Sequence, residues 1–227
     1  MSLALIVLAK APAPGRAKTR LCPPCTPLEA AALAEAALVD TLDAVGAASG
    51  VGCRVLALDG APDAWLRPGW EVVPQRGNGL DERLASAFAD VAGPALLVGM
   101  DTPQVSPQMI EHAASMLAAS DVGAVLGPAF DGGYWAIGLR EPNAFVFRRV
   151  PMSTPWTLTA QRGRLASLGI AWRELPELRD VDTFADAVAV ASSAPRSRFA
   201  RQLAGMAHLH PRDLRSADGR WSESLDS

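Results

Sequence analysis

Four stretches of this 227-residue chain gather side chains that handle charge. The first, Lys10 to Leu21 (KAPAPGRAKTRL), places four cations, Lys10, Arg16, Lys18 and Arg20, in one loop with Gly15 among prolines. Cations so placed can clamp phosphate oxygens, and Gly15 lets backbone amides come close to them. Neither G-x-x-x-x-G-K-[ST] nor G-x-G-x-x-G is present, so the two standard phosphate loops are excluded, and the plain alternative is a solvated basic loop. The second, Gly99-Met100-Asp101-Thr102-Pro103, offers a carboxylate just past an apolar run. Mg2+ usually takes one or two protein carboxylates and completes its shell with water and phosphate oxygens; alternatively Asp101 caps the Thr102-Pro103 turn.

The third, Asp180-Val181-Asp182, has acids at i and i+2, which face one side of an extended segment. Together with Asp101 they form a candidate three-carboxylate metal site, although the Thr183 to Asp186 spacing also reads as a helix cap. The fourth, Asp131-Gly132-Gly133-Tyr134-Trp135, has the Asp-Gly and Gly-Gly pairs favoured in hairpin turns. Equally, its glycines would let a substrate lie against backbone while Asp131 reaches hydroxyls. Lysine occurs only at positions 10 and 18, and Tyr134 is the single tyrosine. Cys22-Pro23-Pro24-Cys25 has C-x-x-C spacing, which reads as a zinc pair or a redox pair, but zinc would need two more ligands from Cys53, His208 or His210, and with the basic loop alongside a tight turn before the next helix is the simpler account. His112, within an expected helix, has no chemical role assigned.

The elements that must position these loops alternate. Leu3 to Leu8 (LALIVL) reads as a strand covered on both faces, hence central and parallel. Thr26-Pro27-Leu28-Glu29 combines an N-cap, a proline at the first helical position and a glutamate at the third, which starts a helix running to about Val45. Strands are expected near 54–58, 71–74, 95–99, 122–127, 134–139 and 170–175. Helices are expected over 81–91, from Ser106-Pro107 to about Ala119, and from about Phe184. This is an α/β pattern with a mostly parallel sheet, whose ligands bind beyond the carboxyl ends of the strands. The expected organisation is one domain over 1–191, then a C-terminal segment, 192–227, with a helical stretch near 199–207 and a frayed end.

Composition narrows the function classes. With 49% hydrophobic and 20% charged residues the chain is not disordered, and a net charge of −3 gives no footprint for nucleic acid or an anionic membrane. No stretch approaches the roughly 20 apolar residues of a membrane span. The N-terminus lacks a basic leader and cleavage site, so a cytoplasmic location is expected. Three cysteines are too few for a disulfide framework.

Taken in order, Lys10-Ala11-Pro12 through Lys18-Thr19-Arg20-Leu21, Gln75-x-Gly77, Gly99-x-Asp101-x-Pro103, Asp131-Gly132-Gly133-Tyr134 and Asp180-x-Asp182 resemble the radical-SAM/selenodomain-associated transferase 1 family. That family is classed with the glycosyltransferase-A, or nucleotide-diphospho-sugar transferase, fold. The Lys18 to Leu21 end and the Asp180-x-Asp182 pair are also similar to 2-phospholactate guanylyltransferases. One departure is that Gly79-Leu80-Asp81 stands before Glu82-Arg83 where the family tends to have Asp-Leu-Gly, so the acid comes two places later.

The resemblance implies a single-domain, Rossmann-like three-layer sandwich with a mostly parallel central sheet. It implies a transferase using Mg2+ (or Mn2+) with a nucleotide or nucleotide-sugar as co-substrate and a small-molecule acceptor. The preferred reaction is glycosyl transfer; the alternatives are nucleotidyl transfer from an NTP with release of pyrophosphate, and a nucleotide-binding module without turnover. By the same resemblance Lys18, Arg20, Asp101 and Asp131 are catalytic, and Asp101, Asp180 and Asp182 hold the metal. Lys10, Gly15, Arg16 and Lys18 meet the nucleotide's phosphates, Gln75 and Gly77 lie near its base or ribose, and Gly133 and Tyr134 lie with Asp131 on the sugar or acceptor side. No nucleic-acid partner and no membrane span are implied, and a homodimer is left open.

Overall fold

In the computed structural model, which describes residues 3–206, the first apolar run forms β1 (Leu3–Lys10). It pairs in parallel with β2 (Val51–Asp59) on one side and β4 (Ala95–Gly99) on the other. Successive side chains of a strand point to opposite faces, and here both faces are packed. Leu5 and Val7 join an apolar cluster with Leu38, Leu42, Ile110 and Leu117, whereas Ala4 and Ile6 join another with Leu84, Phe88, Phe147 and Leu165. Burial on both sides is why the run shows no polar alternation.

The sheet order is β3 (Glu71–Pro74), β2, β1, β4, β6 (Tyr134–Leu139), β5 (Ala124–Pro128), β7 (Trp172–Glu174). Among the described strands β6 runs antiparallel to both neighbours and every other pairing is parallel. The helices α1 (Pro27–Ala47) and α3 (Pro107–Ala118) cover one face; α2 (Leu80–Ala89) and α4 (Thr157–Ser167) cover the other. The result is the expected three-layer α/β sandwich.

The helix starts follow local chemistry. Thr26 and Glu29 form a reciprocal capping box ahead of Pro27, Ser106 accepts from the Met109 amide ahead of Pro107, and Thr183 and Asp186 form a second box. Helix α4 had no counterpart in the sequence reading. Its sequence is polar, carries Gly163 in its middle, and buries only Thr157, Leu158, Gln161 and Leu165.

The outer face of α1 makes a third cluster, in which Leu33 and Ala37 meet Val188, Phe199 and Leu203 from α5 (Phe184–Ser193) and α6 (Arg198–Ala204). The expected division is at 191/192. It falls inside α5, and the next helix is anchored in the same packed body because its apolar side has α1 to bury against. The C-terminal end, expected to fray, lies outside the described residues.

Candidate active site

Strands β1 and β4 are neighbours, so the loops leaving their carboxyl ends start side by side. Lys18 sits in the left-handed backbone region (φ 52°) and opens a single turn of 3-10 helix, Thr19–Leu21, whose Leu21 is fully buried in the third cluster. That geometry turns the Lys18 side chain inward, where it is 9% exposed. Its Nζ lies 2.7 Å from Asp101 Oδ1 and 3.8 Å from Asp182 Oδ1, and it donates to the Val181 carbonyl. Arg20 Nη1 lies 3.6 Å from Asp182 Oδ2. The Val181 amide donates to the Asp101 carbonyl at 2.9 Å, fixing the Asp180–Asp182 segment against the end of β4. Residues from three distant stretches thus meet at one corner of the sheet.

Asp180 is partly buried. Its Oδ1 is out of solvent with no hydrogen-bond partner. Burial, with the nearby charges of Asp101 and Asp131, pushes its carboxyl up to about 7, against the pull of Lys18. Burial and like charge together disfavour its ionised form. Among the described residues no group of three or more His, Cys, Asp or Glu side chains is arranged as a ready metal cage. The donors fit a hard divalent ion in another way: Asp101 and Asp182 already share one cation, Lys18, and Mg2+ or Mn2+ taking one or two carboxylates would leave its other positions to phosphate oxygens and water.

Two cavities meet at this corner. The smaller, of about 250 Å3, is lined by Lys10, Arg16, Lys18, Thr19 and Arg20. The larger, of about 680 Å3, has a floor that includes Leu8, Leu84 and Trp135 and a polar side with Asp131, Gly133, Tyr134 and Asp180. Arg20, Met100, Asp101 and Asp182 line both. The Asp131 turn joins β5 to β6; its Oδ1 accepts from the Gly133 amide at 2.8 Å. Gly132 has a φ of 86°, and a Cβ there would lie 2.2 Å from the Pro155 carbonyl, so only glycine fits against the loop before α4. Tyr134 bonds Gln161 Oε1 at 3.3 Å, and burial pushes its phenol well above the usual range.

Other sequence expectations fall elsewhere. Gln75 lines neither cavity. Its amide donates to the carbonyls of Ala9 at 2.7 Å and Ala57 at 3.0 Å and accepts from Arg83, which also pairs with Asp59 at 3.3 Å. That side chain ties β1, β2 and β3 together. Gly77 (φ 119°) packs on Glu82 and Arg83 at the start of α2, and Gly15 (φ 73°) shapes the basic loop; neither lines these two cavities. Cys22 and Cys25 are free thiols, and burial pushes Cys25 up to about 11, which suits the turn and not a reactive pair.

Sequence reasoning missed Thr102, read only as part of a turn. It is 1% exposed, lines the larger cavity, and its Oγ1 has no partner. It also missed the wall formed by Met152, Ser153, Thr154, Pro155 and Thr157. No periodicity marks that segment; its shape comes from Thr157, whose Oγ1 bonds the carbonyls of Pro151 and Thr154 at 2.8 Å each.

The family model described as "Uncharacterized protein conserved in bacteria (DUF2064)" matches residues 38–154, just over half of the 227 residues, and the chain belongs to that family. No curated protein gives a significant match. Among solved structures the chain is similar to a protein from Desulfovibrio desulfuricans G20 provisionally named a nucleotide-diphospho-sugar transferase, with 26% identity, a TM-score of 0.83 and coverage of 96% of this chain and 99% of that one. Rv0371c from Mycobacterium tuberculosis H37Rv, solved with manganese, shares the fold at 22% identity and TM-score 0.54, over 84% of this chain and 98% of that one. CMP:2-keto-3-deoxy-manno-octonic acid synthetase, solved with CTP, shares it at 14% identity and TM-score 0.56, over 86% and 99%. The fold is the nucleotide-diphospho-sugar transferase type that the motifs resemble.

Proposed function

We propose that this member of the DUF2064 family is a divalent-cation-dependent transferase acting on a nucleotide-activated donor, and that its reaction is glycosyl transfer from a nucleoside-diphospho-sugar to a small-molecule acceptor. The observation that carries the reading is Lys18, held 2.7 Å from Asp101 and 3.8 Å from Asp182 where a cation-lined cavity opens into an acid-lined one. As the glycosidic bond to the donor breaks, negative charge grows on the departing diphosphate. Lys10, Arg16, Lys18 and Arg20 face that charge from the smaller cavity, and Lys18 is already oriented by the Val181 carbonyl. Fixed donors of this kind stabilise a leaving group by about 3 kcal/mol each, roughly a hundredfold in rate.

Asp101 and Asp182, with Asp180 behind them, would hold Mg2+ or Mn2+, which as a Lewis acid neutralises part of the developing phosphate charge. Asp131, Gly133 and Tyr134 border the side where the sugar and acceptor would lie. Gln75, by contrast, acts as a strand tie, and Gly77 shapes the neighbouring loop. We place the reaction in the cytoplasm; no helix among the described residues is long and apolar enough to cross a membrane.

A second reading, nucleotidyl transfer from an NTP to a phosphorylated small molecule, is favoured by the similarity of Lys18 to Leu21 and Asp180-x-Asp182 to the guanylyltransferases and by the fold shared with a synthetase solved with CTP. The narrower assignment to the radical-SAM/selenodomain-associated transferases belongs to the first reading.

One experiment separates them. Thermal shifts with each nucleotide and sugar nucleotide, with and without Mg2+, identify the donor; a ligand at a hundred times its Kd adds about 2.7 kcal/mol. Pyrophosphate released from an NTP supports the second reading, and free nucleoside diphosphate from a sugar nucleotide supports the first. Cation-dependent binding with neither product leaves a binding module, and no binding to any nucleotide refutes both transfers.

A further inference from the structure

The acids of the candidate site come from three separate stretches of chain, and the residue that braces all three lies outside both cavities. Arg179 immediately precedes the Asp180-Val181-Asp182 segment and lines neither the smaller nor the larger cavity. Its guanidinium carbon stands 4.7 Å from the ring centroid of Phe130, the residue before Asp131. Its Nη1 donates at 2.8 Å to Asp186 Oδ1, while Asp186 Oδ2 accepts from the amide and hydroxyl of Thr183, directly after Asp182. Its own carbonyl accepts at 2.6 Å from the side-chain amide of Gln104, in the loop that follows Asp101. Backbone bonds run alongside: the Phe130 amide donates to the Leu178 carbonyl, and the Leu178 amide to the Pro128 carbonyl, each at 3.0 Å. One residue thus stands between the segments that carry Asp101, Asp131, Asp180 and Asp182.

These contacts call for an arginine. A planar guanidinium can lie over a ring face and still present N–H groups at its edge to a carboxylate, whereas an ammonium is a compact point charge without that fork. The Arg179 side chain is 40% exposed, and ion pairs in such surroundings add little to overall stability. What the pair fixes is local, because Asp180 to Asp182 lie in no helix or strand of their own. Carboxylates that share a metal have to be held in place, and the groups that hold them govern metal affinity nearly as strongly as the ligands do. Resting on the reading that these acids hold a divalent cation, we infer that Arg179 is a positioning residue for that cation. By clamping Phe130 on one side and Asp186 on the other, it sets the Asp180–Asp182 segment against the Asp131 turn without touching ion or substrate itself.

The test uses the full chain and Mn2+ without nucleotide, reading the Kd by electron paramagnetic resonance beside the Tm in EDTA. Arg179→Met keeps the aliphatic stem and removes the guanidinium, so Mn2+ should bind about tenfold more weakly while the metal-free Tm falls by less than about 4 °C. Arg179→Lys restores the charge but not the planar fork, and should stay close to the methionine variant. Phe130 is 57% exposed, so Phe130→Leu spares the core and serves if Arg179→Met does not fold. It should weaken Mn2+ as well, and combining it with Arg179→Met should add little further loss, because both changes cut one clamp.

Unchanged Mn2+ affinity in the Arg179→Met and Phe130→Leu proteins overturns the positioning role, even if the metal-free Tm drops, since Arg179 would then only fasten the fold. Full recovery of affinity by Arg179→Lys overturns it too, by reducing the effect to charge alone. So do losses that add independently in the double variant, which would mean that the two side chains act separately. Asp101→Asn distinguishes these results from failure of the metal reading itself. If the unaltered chain binds no Mn2+, or Asp101→Asn binds it equally well, these acids hold no cation and that reading falls first. If Asp101→Asn abolishes binding while the Arg179 and Phe130 variants retain it in full, the metal reading stands and Arg179 has no part in it.

Discussion

Two carboxylates of this chain have opposite surroundings. Asp40, on α1, is 9% exposed and accepts from the backbone amides of Arg198 at 3.0 Å and Phe199 at 2.9 Å, and from the Arg198 guanidinium at 3.3 Å. It sits at the N-terminus of α6, where unpaired amides and the helix dipole favour an anion. Asp180 leaves one oxygen buried and unpartnered, with Asp101, Asp131 and Asp182 adding like charge nearby. The first carboxylate is complete without any ligand and fastens one element to another. The second leaves one oxygen unpartnered among like charges, an arrangement that does nothing to fasten the fold.

The sharpest way to break the contrast is to neutralise each corner in turn. Asp101→Asn should reduce nucleoside diphosphate release from the sugar nucleotide by roughly a hundredfold, about 3 kcal/mol of barrier, and abolish the Mg2+-dependent part of nucleotide stabilisation, with Tm changed by less than about 2 °C. Turnover close to that of the unaltered chain would remove Asp101 from the site. Asp40→Ala should do the reverse. Losing a carboxylate that satisfies two amides and a half-exposed arginine costs about 2 kcal/mol, or roughly 4–8 °C in Tm at this size, with nucleotide affinity of the folded protein unchanged. An Asp40→Ala protein with unaltered Tm would show that α6 is held by its apolar face alone.

The same contrast explains what could be read from the sequence. Where a rule is local, the residues state it: the LALIVL run of β1, the Thr26/Glu29 and Thr183/Asp186 boxes, and the Asp131-Gly132-Gly133 turn between two antiparallel strands all appear as their types and spacings demand. The convergence of Lys18, Asp101 and Asp182 was legible only at second hand, through the rule that loops at strand carboxyl ends meet. Nothing in the chain announces that β1 and β4 lie side by side.

Gln75, placed near the base or ribose by resemblance, has tertiary partners that the sequence does not announce, the carbonyls of Ala9 and Ala57. Helix α4 escaped for a related reason. Its buried Gln161 replaces an apolar residue in the pattern, and it is seated by donating to the Val146 carbonyl at 2.9 Å and accepting from Tyr134. Thr102 was invisible as a site residue because a threonine before a proline in a turn looks the same whether or not its hydroxyl has a partner.

The smallest effect sharpens the comparison most, because it tests whether Asp180 is strained in the absence of ligand. Its carboxyl is pushed up to about 7 from an ordinary value near 4, so the folded state holds the proton more tightly than the unfolded chain does. Stability associated with this group is therefore greatest below about pH 4, declines as pH rises from there to about 7, and stays low above it. Asp180→Asn removes the charge and keeps the shape, so without metal or nucleotide it should raise stability at pH 8 by about 1–2 kcal/mol, roughly 2–8 °C in Tm, and by less than half of that at pH 5. The equivalent change at Asp40 can only destabilise, since its acceptor atoms are all in use. If Asp180→Asn gains nothing at pH 8, or gains as much at pH 5, the Asp180 carboxylate is not under electrostatic strain, and the cation expected beside it has lost its clearest structural reason.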